Sequence, residues 1–283
     1  MTSARIGLIR SAASAVFAAL LLSGPAAPAR DDGNGQQRLD LMRSAVASLE
    51  PQSSALPHAA LAVAPTPLLR YSDPTRGGIK EAATNVLLDA AVWRLGTEGR
   101  PTALVTTEIY QNGDHSRVLA YEFLSLTATP FSLRHRTQPI RWDATGSGLA
   151  LKALPDAPKP AATAAARLPQ MRLLAKRFAV KERVNDVPIE CRLLPQPIDR
   201  YRSDADKIVD GAIFAYANGT NPEVGVLFEC GGEHWRYGCL RLTAAECHVQ
   251  LDGREVAAFE KFDARGHTDG PYHNGAHKLP TPQ

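Results

Sequence analysis

Apolar residues in this chain mostly alternate with polar ones in short runs, and Gly, Pro, Asn and Asp separate the runs. Period two with such breaks predicts strands joined by tight turns. In the first part of the chain the strands are Val86–Leu95, Thr102–Tyr110 and Arg117–Thr127, and Phe131–Trp142 and Gly148–Leu154 could add two more. Gln111-Asn112-Gly113-Asp114 joins two of them, and Asn-Gly marks a hairpin because both residues tolerate positive φ. Later strands are Lys207–Ala217, Glu223–Cys230, Trp235–Thr243, Cys247–Leu251 and Arg254–Phe259, the last pair joined by Asp252-Gly253. Helical spacing appears twice. Leu39, Met42, Val46 and Leu49 predict a short helix over 36–49, ended by Pro51. Leu168, Met171, Leu174, Ala175 and Phe178 predict an amphipathic helix over about 161–182, with Pro169 kinking it or marking its start. Its Arg167, Arg172, Lys176, Arg177 and Lys181 are assigned to a solvated outer face.

The strand pattern occurs twice. Asp89, Ala91, Trp93, Pro101, Val105 and Glu108 match Asp210, Ala212, Phe214, Pro222, Val226 and Glu229 at a constant offset of 121. Beyond the next turn the offset becomes 116, where Tyr121–Ala128 lies over Tyr237–Ala244. Upstream, Pro67, Arg70 and Tyr71 match Pro197, Arg200 and Tyr201. The expectation is an α+β fold, mainly antiparallel sheet, from two related halves (about 67–155 and 191–260) with one helix (about 161–182) between them. Neither half alone has a comfortable core, so the two should bury a shared one. Residues 30–66 read as a short helix and linker, 67–262 as one domain with an internal duplication, and 263–283 as a disordered polar tail.

The first residues change where the protein is expected to act. Arg5 and Arg10, the apolar run Ala12–Leu22 and the small-residue site Ala27-Pro28-Ala29 read as a signal peptide over 1–29. The chain is therefore expected to be exported, periplasmic or secreted, with no membrane insertion after cleavage. Of 32 Lys and Arg against 29 Asp and Glu, two basic residues leave with that segment. A near-neutral remainder gives no electrostatic reason to expect nucleic acid.

Candidate chemistry is sparse. Glu108 and Glu229 each close a strongly apolar strand and occupy related positions, so they could form an acid/base pair. The alternative is an ion pair or hydrogen bond with Arg70, Arg200 or Arg236. Asp89 and Asp210 open the preceding strands, where a turn-capping role competes with a catalytic one. Cys230, Glu233, His234, Cys239, Cys247 and His248 lack the paired spacing of a structural metal site, and His267, His273 and His277 lie in the tail. No metal or cofactor is expected. Four cysteines in an exported chain invite disulfides. However, a hairpin over 224–242 sets Cys230 opposite Trp235 and Cys239 opposite Val226, too far apart to bridge; Cys191 could reach another cysteine. Buried free thiols are expected. Phosphate loops, nucleophile elbows and zinc-protease pairs are absent.

Arg192–Pro197, Arg200-Tyr201, Asp210–Phe214, Gly219–Val224 and Trp235–Tyr237 resemble a family of predicted exported bacterial proteins with no assigned activity. Ala164–Phe178, Tyr71-Ser72, Gly99–Pro101 and Tyr121–Leu126 are similar to it too. The resemblance covers roughly 67–256 and implies that the cysteines fill the core; it carries no catalytic residue, ligand or partner. The leading expectation is a non-enzymatic binding or interaction module. It calls for an apolar concave patch without convergent titratable groups. The alternative is a hydrolase using Glu108 and Glu229.

Overall fold

The computed structural model describes residues 34–73, 85–264 and 266–280. The export signal expected over 1–29 lies outside them. The chain order is α1 (Gly35–Ala47), β1 (Leu49–Gln52), α2 (His58–Leu61), β2 (Leu69–Asp73), β3 (Asn85–Leu95), β4 (Ala103–Asn112), β5 (Arg117–Ser125), β6 (Phe131–His135), β7 (Arg141–Ala144) and β8 (Lys152–Ala153). It continues with α3 (Ala164–Ala175), β9 (Phe178–Val184), β10 (Val187–Leu193), β11 (Asp199–Ser203), β12 (Ile208–Asn218), β13 (Asn221–Cys230), β14 (Trp235–Arg241), β15 (Glu246–Leu251), β16 (Arg254–Phe259) and β17 (Tyr272–Lys278). All strand pairs between these elements are antiparallel, so the expected α+β class holds.

The two halves share strand order and register. β2-β3-β4-β5 pair in sequence, as do β11-β12-β13-β14. Arg70 faces Ala91 as Arg200 faces Ala212. Ala90 faces Glu108 as Gly211 faces Glu229, and Val105 faces Phe123 as Val226 faces Cys239. Both edge strands bulge at the same place, after Tyr71 and after Tyr201. The correspondence reaches further than the sequence pattern indicated. α1 and α3 open the halves with matching Arg38-Leu39…Met42-Arg43 and Arg167-Leu168…Met171-Arg172. β1 pairs β6 and β6 pairs β7, as β9 pairs β15 and β15 pairs β16. The stretch expected to be a linker and the helix expected to lie between halves are thus the opening elements of each half.

Three apolar layers hold this arrangement. Between the two sheets lie Leu87, Val92, Leu104 and Leu124 from one half against Ile198, Ile213, Leu227 and Leu240 from the other. The outer face of the first sheet packs Trp93, Val105 and Phe123 under Met42, Val46 and Leu49 and against Leu133 and Trp142 of the β6–β7 hairpin. The outer face of the second packs Phe214, Val226 and Phe228 against Met171, Phe178, Val180 and Val249. Central strands covered on both faces explain why β13 is buried along its whole length.

Four expectations need correction. The stretch 131–142 is not one strand: it turns at Pro139 and folds back as the β6–β7 hairpin, and of 148–154 only Lys152–Ala153 is strand. The helix stops at Ala175, and Phe178–Val184 is strand, because Phe178, Val180 and Glu182 are buried while alternate residues face outward. Period two therefore overrode the basic, helix-favouring composition. The tail is not wholly irregular: Tyr272–Lys278 adds to the edge of β5 and buries Tyr272 and His273. Arg167, assigned to the solvated face, is buried and paired with Asp210.

That pair belongs to a motif found once in each half. Asp89 accepts from Arg38 of α1 (3.1 Å) and from Arg70 of β2 (2.9 and 2.6 Å). Asp210 accepts from Arg167 of α3 (2.9 Å) and from Arg200 of β11 (3.0 and 2.7 Å). Arg70 also donates to the Gly35 carbonyl and Arg200 to that of Ala164, each the first residue of its helix. One carboxylate thus fastens a helix to an edge strand and a central strand. Removing it strands buried guanidinium charge, so Asp210→Ala should cost about 3–5 kcal/mol in urea unfolding of the full chain. A loss under about 1 kcal/mol would mean the helix is seated by apolar contact alone.

Candidate functional site

The four carboxylates singled out by sequence each engage hydrogen-bond donors of their own. Asp89 and Asp210 are clamped as described and cap no turn. Glu229, with no exposed surface, accepts two bonds from Arg100 (2.7 Å each), one from the Tyr201 hydroxyl (2.8 Å) and a longer one from Arg236 (3.4 Å). Glu108 accepts from the hydroxyls of Tyr71 (3.0 Å) and Tyr110 (2.9 Å). Each Arg-Tyr dipeptide therefore serves two buried acids, the Arg reaching the Asp and the Tyr the Glu. Burial and the neighbouring Glu108 raise the Tyr71 pKa, and burial with Glu229 does the same for Tyr201, so both hydroxyls stay protonated donors.

Arg100 comes from the other half, and the sequence pattern did not single it out. Arg94 donates to the carbonyls of Gly96 (2.6 Å) and Gly99 (2.7 Å), shaping the loop that presents Arg100. It also pairs with Asp199 across the interface (2.7 Å). In return the Thr220 hydroxyl donates to the Ser72 carbonyl, and the Ala244 amide donates to Glu122 (3.1 Å). The bond to Glu229 raises the Arg100 pKa further, fixing its charge. The signal available was the unmatched Arg94 and Arg100 within otherwise matched segments, where the second half carries Ala215 and Asn221.

The residues of metal-ligand type stay apart. Among the described residues no three His, Cys, Asp or Glu side chains are placed to hold an ion. His248 lies between Glu255 (2.8 Å) and Glu246 (3.0 Å), and Glu233 pairs with Lys159 (2.5 Å). The four cysteines form no disulfide, with Cys191, Cys230 and Cys247 buried and Cys239 half-buried. Burial raises the thiol pKa of Cys239 to about 12 and lifts those of Cys230 and Cys247, which leaves them poor nucleophiles.

A concave feature lies elsewhere, in the first half, between the end of α1, β1, α2 and residues 62–65. This cavity, about 710 Å3, is walled by Val46, Leu49, Pro51, Leu61 and Val63, with Trp93 at its floor. Arg43, Glu50, Gln52 and His58 also line it. The charged pair is already engaged: Arg43 with Asp40 (2.5 Å) and Glu50 with Arg136 (2.9 Å).

The second half shows why the cavity exists. The Arg136 amide donates to the Ser48 carbonyl (2.9 Å) as the Asp252 amide does to that of Arg177 (3.0 Å), so Pro51 stands where Val180 does. Val180 pairs with Cys191, and β10 continues along β9 as a hairpin. In the first half the chain returns to the same register, since Ala64 and Leu68 bond Arg94 and Val92 as Leu194 and Ile198 bond Ala215 and Ile213. Between those fixed points, however, Pro51 has no N–H to give. Ser53 turns the chain by accepting from the amides of Ala55 and Leu56 (3.2 Å each), and Pro57 leads into α2. The segment arches away, and the slot that β10 fills in the second half is left open.

Glu122 is an acid with a raised pKa near the interface. Burial raises its pKa first, then the charges of Glu108 and Glu223, with the Tyr272 hydroxyl beside it. A carboxyl whose folded pKa is raised adds stability below its unfolded pKa and loses it as pH rises through the folded value. Glu122→Gln keeps the bond from Ala244 and removes the charge. Its melting temperature should equal that of the parent at pH 4 and exceed it at pH 8; a lower value at pH 8 would show that the charge is compensated. No family model matches the chain, and no curated protein or solved structure matches it either.

Proposed function

We propose that this protein is a non-enzymatic binding module that acts outside the cytoplasm and holds a small apolar ligand in the cavity beside β1. The observation that carries this reading is the cavity itself. At about 710 Å3 it lies within the size of small-molecule sites, and its walls are mainly aliphatic. Its position supports the reading too. We take the two halves as products of a tandem duplication, in which the second packs this place solid with Val180 and Cys191 and the first has diverged to leave it open. The basic, apolar and small-residue segments within residues 1–29 support export.

The hydrolase alternative finds less support. Glu229 is enclosed and bound by Arg100 and Tyr201, and Glu108 by two tyrosines, so both carboxylates serve the packing of sheet and edge strand. Acid/base work needs a carboxylate within reach of a substrate. These face neighbouring protein.

Ala62 lines the cavity and is half-buried, so a large side chain there should fill the space without entering the cores. The dye N-phenyl-1-naphthylamine, which brightens in apolar surroundings, should bind the full chain saturably at one site. Ala62→Trp, with an unchanged far-ultraviolet dichroism spectrum, should weaken that binding at least tenfold. Absence of saturable binding, or equal binding by the variant, overturns the reading.

A further inference from the structure

The cavity also limits the chemistry of its ligand, on the reading that it is a binding site. We infer that it takes an uncharged, largely hydrocarbon molecule carrying a hydrogen-bond donor.

Charge is the first constraint. Arg43 and Glu50, of opposite sign, line the cavity with His58, and the ion-pair partners of the first two, Asp40 and Arg136, lie outside the lining. Arg43 donates to Asp40 (2.5 Å) and to the Pro65 carbonyl (3.4 Å), and Glu50 accepts from Arg136 (2.9 Å). An ionised ligand group would have to give up its water and compete with those pairs for a counter-ion, which is unfavourable against an apolar wall. A neutral body loses nothing there and gains by burying its hydrocarbon surface.

The backbone is the second. Ser48 turns its carbonyl toward β6, where it accepts from Arg136. Alternation along the strand then turns the carbonyls of Leu49 and Pro51 the other way, off the open edge of β1 and toward the cavity. At the equivalent of Pro51 in the second half, Val180 is paired with Cys191. Pro51 retains the acceptor and lacks the donor. A hydroxyl or amine on the ligand satisfies such an acceptor, whereas an extended peptide would leave its own carbonyl unanswered opposite Pro51. The single short outward edge and the proline therefore favour a small molecule over an added strand.

Three dyes with one ring skeleton separate these features. N-phenyl-1-naphthylamine is neutral and has an N–H; its N-methyl derivative is neutral and has none; 1-anilinonaphthalene-8-sulfonate keeps the N–H and adds an anionic sulfonate. Titrated into the full chain and into Ala62→Trp, the first should bind at least tenfold more tightly than the sulfonate and at least threefold more tightly than the N-methyl derivative. Both differences should vanish in Ala62→Trp. Equal or tighter binding of the sulfonate, lost in Ala62→Trp, overturns the neutral ligand while the pocket stands. Equal binding of the N-methyl derivative, lost in the same variant, overturns the donor. Binding by none of them, or binding indifferent to Ala62→Trp, removes the pocket reading itself.

Discussion

A buried aspartate held between two arginines, once in each half, is the interaction on which the architecture depends. Asp89 and Asp210 sit on central strands, and each draws one guanidinium from an edge strand and one from a helix. Isolated, any of these charges would be costly in an apolar setting; together they satisfy one another. Because the strand arginine also binds the first carbonyl of the helix, the geometry sets where the helix begins, beyond tying it down. Helix position then decides what lies beneath it. Seated by Asp89, α1 places Met42 over the first sheet and Val46 at the cavity wall; seated by Asp210, α3 places Met171 over the second.

With helix, sheet and hairpin fixed identically in both halves, small local differences have large consequences. Pro51 and Val180 occupy one register position, and the chain between the fixed points is nearly the same length in each half, 49–63 against 178–193. Valine allows two strands to zip, and proline removes the donor on which zipping begins. Ser53 and Pro57 then stabilise the alternative turn. The interior is close-packed, so a missing strand is not absorbed by relaxation of its neighbours and leaves a cavity instead. A proline on an exposed strand edge also keeps another chain from adding there, which is how edges are commonly protected.

The central strands β3 to β5 and β12 to β16, with their hairpins, were legible because period-two alternation and Asn-Gly or Asp-Gly turns are local signals. The pairing of Cys230 with Trp235 and Cys239 with Val226 followed from turn position alone and is observed. The segment after Ala175 was misread because Lys, Arg and Glu favour helix, while burial of Phe178, Val180 and Glu182 is a property of the assembled sheet. Tyr272–Lys278 carries little apolar character and becomes a strand because β5 offers it an edge. For the acidic residues, the sequence indicated that Glu108 and Glu229 were equivalent but not what faced them. Arg38 and Arg100 lie far away along the chain, and no periodicity links them to Asp89 or Glu229. The cavity was the least legible feature, since it results from a hairpin that does not form.

The interface between the halves is equivalent in shape and unequal in charge. Glu229 is answered by Arg100 from the opposite half, and Glu108 accepts from Tyr71 and Tyr110 of its own half. Arg94 and Arg100 both come from the first half, and their acids, Asp199 and Glu229, from the second. A second half folding alone would bury Glu229 without its bidentate cation. Apolar burial between the sheets would favour association in many alignments, because it is non-directional. The two cross-interface arginines discriminate among those alignments, since a shifted register leaves buried charge unpaired. Hydrophobic contact therefore drives the halves together, and the charged pairs select the register at which they meet.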